Sequence, residues 1–270
     1  MYEYDQNARY TMPAHFGARQ FEPGATGWYH DVTALSLSFV TDRDRLAAYL
    51  PEPFEVGAEP IVNVFYAQNR DIDWLAGHGY NMIGITASAV YHGETEHLTG
   101  TFTLVIWENL TDPILTGREL QGIPKIYADI PDYTIDDDGT WRAGAAHFGH
   151  QIVDVSVSDA RPPTPEEIEA ARSDQAANDS PMGWRHFPSM NGPGSAVSEP
   201  TTFPSENVIT EASVGTGTVD WHRLTWEQNP TQYRYVNALA ELPIIEQRPA
   251  IITKGSTNLV VPTRLPRGLD

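Results

Sequence analysis

The sequence has no cysteine among its 270 residues, which excludes disulfides, thiolate zinc sites and a thiol nucleophile. Lysine is nearly as scarce: of the 17 basic residues, all but Lys125 and Lys254 are arginine. Basic charge is in deficit overall, with a formal net charge of −19. Nucleic acid and anionic membranes both require a basic footprint, so neither is expected as a partner. An anionic small molecule would have to find positive character supplied locally. No apolar run approaches the length of a membrane span. Residues 1–17 lack the apolar core of a signal peptide, and a cytoplasmic protein is expected. Familiar catalytic loops are also missing, since there is no GxGxxG, Walker loop or GxSxG. Gly215-Thr216-Gly217 lacks the third glycine and the following helix of a dinucleotide site.

What is present reads as an ordinary globular chain, 40% hydrophobic and 20% charged, long enough for one large domain or two small ones. Alternating apolar stretches predict half-buried strands over Val32–Val40, Ile61–Gln68, Asn81–Tyr91, Gly100–Trp107, Trp141–Val157 and Val208–Trp226. Asp138-Gly139 fits a hairpin turn, with the acidic triplet Asp136–Asp138 as its solvated lead-in. Helices are few and short. Asp42 caps Arg43–Leu50, Asp112-Pro113 opens Ile114–Gln121, Thr164-Pro165 opens a run to about Gln175, and Tyr233–Leu242 forms a fourth. This balance predicts a mainly-β antiparallel barrel or sandwich flanked by short helices. Between Arg161 and Pro204 lie eight of the 21 prolines. The strand pattern resumes afterwards, so residues 1–270 are read as one domain with a proline-rich excursion at 161–204.

Metal ligation finds little support. His147 and His150, read within one strand, would point to opposite faces, and the cluster His92, Glu94, Glu96, His97 is explained as well by a polar hairpin. Lys125 stands apart. It follows a short capped helix and the redirecting Gly122-Ile123-Pro124, with Ile126 and Tyr127 after it. An amine in apolar surroundings loses solvent, which disfavours the ammonium and leaves a nucleophile. Arginine cannot do this. The local pattern by itself still favours a solvated lysine on the outer face of a strand.

Gly117-Arg118-Glu119-Leu120 followed by Pro124-Lys125, with Tyr127-Ala128-Asp129-Ile130 beyond, resembles the active-site segment of the acetoacetate decarboxylase superfamily. Thr41-Asp42 with Pro51-Glu52-Pro53-Phe54-Glu55, and Ala240-Glu241-Leu242-Pro243-Ile244, resemble two further landmarks of that family, in the same order. The similarity runs from about Tyr29 to Val260 and is weakest between Arg161 and Pro204. It implies a cone-like antiparallel β-barrel with a few flanking helices, a Schiff-base lysine in its interior, no cofactor, and a homo-oligomer of tetramer size or larger.

The departures from the family pattern point to a branch. Ile126 stands where the decarboxylases carry a second lysine. By alignment, Val32 replaces their carboxylate-binding arginine, Phe65 replaces one pocket glutamate, and Tyr80 or Met82 replaces the other. Branches without decarboxylation run aldol condensation with dehydration, or hydration, on pyruvate-derived 2-oxo acids, and some carry a glutamine four residues before the lysine, as Gln121 is here. The expectation is therefore a lyase acting on a small keto acid, with Lys125 as nucleophile and Gln121 and Tyr80 orienting carboxylate or hydroxyl groups. Glu119 is either a pocket acid/base or a buried partner of Arg118. Val32, Phe65, Met82 and Arg118 complete the expected substrate surroundings. Acetoacetate decarboxylation and a non-catalytic barrel holding an apolar ligand are the alternatives.

Overall fold

The computed structural model describes residues 3–18, 26–260 and 265–270. The alternating runs become strands because each presents one apolar edge to a shared core. In chain order the strands are β1 (Trp28–Val40), β2 (Phe54–Val56), β3 (Ile61–Ile72), β4 (Tyr80–His92) and β5 (His97–Glu108). β6 (Lys125–Tyr127), β7 (Thr134–Ile135), β8 (Trp141–His147), β9 (His150–Arg161) and β10 (Ser180–Pro188) follow. The last five are β11 (Ser195–Thr202), β12 (Glu206–Trp221), β13 (Glu246–Gln247), β14 (Ala250–Asn258) and β15 (Arg267–Gly268). The helices are α1 (Arg43–Ala47), α2 (Thr111–Thr116), α3 (Pro165–Ala177) and α4 (Tyr233–Ala240).

All fifteen described strands belong to one sheet, in the order β15-β11-β10-β5-β4-β3-β1-β14-β12-β9-β8-β7, with β13, β2 and β6 attached to β1, β4 and β5. Pairing is antiparallel except where β10 and β6 lie parallel to β5. Leu35, Leu37, Val64, Tyr66, Ile83, Ile85 and Trp107 share one face of the sheet and one core with Val153, Val155, Val219 and Ile252. The sheet curls around that core, for the rings of Trp107 on β5 and Trp221 on β12, five strands away, lie 6.4 Å apart. α4 adds Val236 and Leu239 to it.

The expected mainly-β fold with few short helices is therefore found, but no continuous ladder closes the curl into a barrel. The β5–β6 side is tied to β8 by a two-hydrogen-bond bridge between Asp129, just past β6, and Ala146. The run Trp141–Val157 divides into β8 and β9. Phe148 and Gly149 take positive φ there (52° and 76°) and turn the chain back. His147 and His150 are consequently register partners on one side of the hairpin, not on opposite faces. The proline-rich excursion holds α3, opened by a Thr164–Glu167 capping box, and supplies β10 and β11 to the same sheet. No helix among the described residues is long and apolar enough to cross a membrane.

Candidate active site

The site grows from the end of α2. At Gly117 the helix widens into a five-residue π-helical turn, Gly117–Gln121, and stops at Gly122, whose φ of 74° suits glycine. The turn is pinned by Thr201, whose hydroxyl donates to the Gln121 carbonyl at 2.8 Å. Ile123 N–H returns to the Gly117 carbonyl at 3.1 Å, and the chain then enters β6 with Lys125 beside Ile106 of β5. A Cβ on Gly117 would lie 2.5 Å from Lys125 Cδ and 3.0 Å from Nζ, so a larger residue there would push the lysine stem from its present path across the helix end.

Strand register then assembles one face. Directly paired residues point to the same side of a sheet, and Lys125–Ile106–Gly84–Phe65 form one such row. Glu108 pairs with Met82, and Tyr80 with Asn69 and Val32, on that same side. Val32, Phe65, Tyr80 and Met82 thus share the sheet face that carries Lys125. That face is turned away from the main core, so the lysine is buried on the far side of the sheet and not inside the curl. It is covered by Gly27, Trp74, α2 and Leu259-Val260, and with Tyr29, Thr116 and Gln121 these line a cavity of about 50 Å³ at the lysine.

The partner of Lys125 is Glu108, which the sequence reading passed over. Nζ lies 2.8 Å from Oε1, and the two side chains are 6% and 0% exposed. This is an ion pair by distance without the alignment of a hydrogen bond, and Oε2 has no hydrogen-bond partner. Burial pushes the Glu108 carboxyl above the usual range, only partly offset by the Lys125 charge. Nearby, the Tyr80 hydroxyl lies 3.3 Å from that of Tyr29, which accepts from Trp74 Nε1 at 3.1 Å. Burial first, then Tyr29 and Glu108, hold Tyr80 well above the ordinary phenol range, so it stays a neutral hydroxyl. Asn69, in register with Tyr80, is buried with its amide nitrogen unpartnered.

The other expected residues divide. Gln121 lines the cavity. Arg118 turns outward and donates to the Lys125 backbone carbonyl at 3.0 Å. Glu119 is half-buried, does not line the cavity and makes no ion pair with Arg118. A larger groove of about 520 Å³, lined by Arg118, Pro124, Ile126 and Arg234, lies where the neighbours of Lys125 in sequence point. It is open and apolar and does not receive the lysine amine, so its size does not make it the site. No group of three or more His, Asp or Glu residues among the described residues is arranged to hold a metal. In the hairpin cluster, Glu96 is engaged by Arg267 and His92 faces Glu55 at 3.6 Å.

Comparison with known proteins follows the same lines. The family model described as acetoacetate decarboxylase matches residues 11–247. An acetoacetate decarboxylase of Paraburkholderia phytofirmans is 35% identical over 96 residues, 35% of each chain, and one from Burkholderia ambifaria is 28% identical over 134 residues, 46% of this chain and 51% of its own. The matched stretches thus span about a third to a half of those relatives. Among solved structures, acetoacetate decarboxylase from Legionella pneumophila superposes with a TM-score of 0.70 at 17% identity, covering 91% of this chain and 88% of its own. An acetoacetate decarboxylase-like enzyme from Sphingomonas wittichii RW1 gives 0.67 at 16%, covering 90% and 92%. An enduracididine biosynthesis enzyme, complexed with the condensation product of pyruvate and imidazole 4-carboxaldehyde, gives 0.64 at 14%, covering 89% and 88%. At these identities the likeness is one of fold.

Proposed function

This chain belongs to the acetoacetate decarboxylase family, and we propose that it acts as a lysine-dependent lyase on small 2-oxo acids. In this reading Lys125 forms a Schiff base with pyruvate and runs aldol condensation with dehydration, or hydration of a 2-oxo-enoate. The observation that carries it is the Lys125 amine, buried at a small cavity beside Glu108. The amine attacks the C2 carbonyl, water leaves, and the iminium becomes an electron sink. Loss of a C3 proton gives an enamine that attacks an aldehyde, elimination of water leaves a conjugated iminium on Lys125, and its hydrolysis releases the 2-oxo-3-enoate and the free amine. Neither metal nor organic cofactor enters the scheme.

Val32 supports this branch over decarboxylation, because by the family resemblance it leaves no cation where the decarboxylases hold the substrate carboxylate, while Phe65 and Tyr80 or Met82 replace their pocket glutamates. Each lost charge-assisted contact removes about 1.5–3 kcal/mol, roughly one to two orders of magnitude in rate. The neighbouring fold that holds a pyruvate condensation product favours the same chemistry. The names of the curated relatives favour decarboxylation instead. One experiment separates the two: purified protein is offered pyruvate with a panel of aldehydes, and acetoacetate in parallel. The expected result is an ultraviolet-absorbing enoate with little carbon dioxide from acetoacetate. Brisk decarboxylation with no enoate selects the other reading, and no borohydride-trapped adduct with either substrate discards both.

A further inference from the structure

We propose that Glu108 is the proton carrier of the Lys125 chemistry, taking protons from the amine, passing them to the departing oxygen, and then removing the proton beside the iminium carbon. The proposal rests on the reading of Lys125 as the Schiff-base nucleophile.

The proton count requires such a group. A lysine ammonium and a ketone become an iminium and one water. Of three N–H protons one stays on nitrogen and two leave with the carbonyl oxygen, so charge is conserved and no proton is gained or lost overall. Those two protons must travel from nitrogen to oxygen around a lysine side chain that is only 6% exposed. Glu108 Oε1 is 2.8 Å from Nζ, close enough to receive the first proton and free the lone pair for attack. The C=O electrons move to oxygen, which takes that proton from the carboxyl. The second proton follows the same path as water leaves, and Glu108 is again a carboxylate facing a cationic nitrogen.

The next step uses the other oxygen. Oε2 is buried and has no hydrogen-bond partner, an unusual state for a carboxylate oxygen unless something else is to meet it. The carbon bearing the acidic hydrogens is two bonds from Nζ. When its C–H bond breaks, the proton goes to Glu108 and the electron pair forms the enamine C=C, leaving nitrogen neutral. The iminium–carboxylate pair thereby becomes an enamine–carboxylic acid pair in which both reacting groups are neutral, the form that burial favours. The groups facing Glu108 are Lys125 from β6 and Tyr80 from β4, with Tyr29 of β1 behind Tyr80. Both phenols are occupied with each other, which leaves Glu108 as the acceptor beside the amine.

The test compares wild type, Glu108→Gln and Glu108→Asp with pyruvate in deuterated water. It measures methyl hydrogen exchange and, separately, the borohydride adduct at Lys125. Glu108→Gln is expected to slow exchange by about 10²–10⁴-fold while still giving the adduct after long incubation. Glu108→Asp should recover part of the rate and keep the wild-type pH profile, whereas Glu108→Gln loses its acidic limb. Exchange at the wild-type rate in Glu108→Gln overturns the proposal and leaves Glu108 a counter-ion. Absence of any adduct in wild type overturns the Schiff-base reading instead, a different result. If Glu108→Gln does not fold, the wild-type profile decides: exchange that rises through one limb above the ordinary carboxylate range supports the proposal, and a flat profile over about pH 4 to 8 overturns it. That limb belongs to the Lys125–Glu108 pair as a unit.

Discussion

The only two lysines in the chain meet a glutamate on a neighbouring strand at almost the same distance, 2.8 Å for Lys125–Glu108 and 3.0 Å for Lys254–Glu211. Their surroundings differ. The first pair is 6% and 0% exposed on the covered face of β5 and β6, and the second is 43% and 67% exposed between β14 and β12. In water an ion pair keeps both charges: Glu211 holds the Lys254 ammonium above its ordinary value and so keeps it a poor nucleophile. Away from water neither charge is well solvated, and burial pushes the Glu108 carboxyl above its ordinary range. In the proposed reading, this contrast in burial, not partner identity, separates the amine that does carbonyl chemistry from the one that serves as surface charge.

The sharpest way to break this comparison is to remove each amine. Lys125→Ala is expected to abolish the borohydride–pyruvate adduct completely, and Lys254→Ala to leave it unchanged, as read by intact mass and peptide mapping. An adduct that maps to Lys254 would reverse the assignment. The glutamates should differ next. Glu108→Ala strands a buried ammonium and is expected to destabilise by about 3–5 kcal/mol, whereas Glu211→Ala should stay within about 1 kcal/mol. Replacing the whole buried pair, Lys125→Met with Glu108→Leu, should recover that loss or exceed wild type by about 1–4 kcal/mol. A double variant as unstable as Glu108→Ala would mean that the pair is held for stability and not for chemistry.

A smaller effect appears as pH dependence. In the unfolded chain Glu108 titrates near about 4.3, and folding raises it because burial disfavours the charged form. Between the two values the native state binds a proton that the unfolded state has lost. The contribution is fully present below the unfolded value and is lost as pH rises through the folded one. Denaturant unfolding over a pH series should show wild-type stability falling across that window, with the slope reduced in Glu108→Gln. An identical slope in both proteins would place the titration elsewhere.

Much of this was legible in the sequence, and the rest was hidden for identifiable reasons. Strand alternation located β1, β3, β4 and β5 to within a few residues, because each has one apolar edge facing a single core. Scarcity marked Lys125, and the resemblance put Val32, Phe65, Tyr80 and Met82 on its face. Glu108 was lost because the strand was read as ending at Trp107, and nothing local signals the parallel pairing of β5 with β6. Alternation from Ile106 would have put a carboxylate on the lysine face had the strand been carried one residue further. Tyr29, Trp74 and Leu259-Val260 escaped for a related reason, since cover supplied by remote segments has no sequence period. The turn at Phe148-Gly149 was missed because one glycine is a weak turn signal inside an otherwise continuous strand pattern.

Gln121 provides the finest test of the difference between the two lysines. Its backbone carbonyl is held by Thr201 and the residue lines the cavity at Lys125, whereas Lys254 stands half-exposed on a sheet surface. If the buried amine and Glu108 suffice to make the imine, then Gln121 acts afterwards, orienting the carboxylate or hydroxyl of the bound intermediate. A single uncharged hydrogen bond contributes about 0.5–1.5 kcal/mol, or roughly two- to tenfold in rate. Gln121→Ala should therefore lower enoate formation by about that factor while leaving the rate and extent of borohydride trapping at Lys125 as in wild type. Equal loss of both would place Gln121 upstream, in shaping the turn that delivers Lys125. In that case the Gln121→Ala variant should also unfold at lower denaturant, because the π-helical turn between Gly117 and Gly122 would have loosened with it.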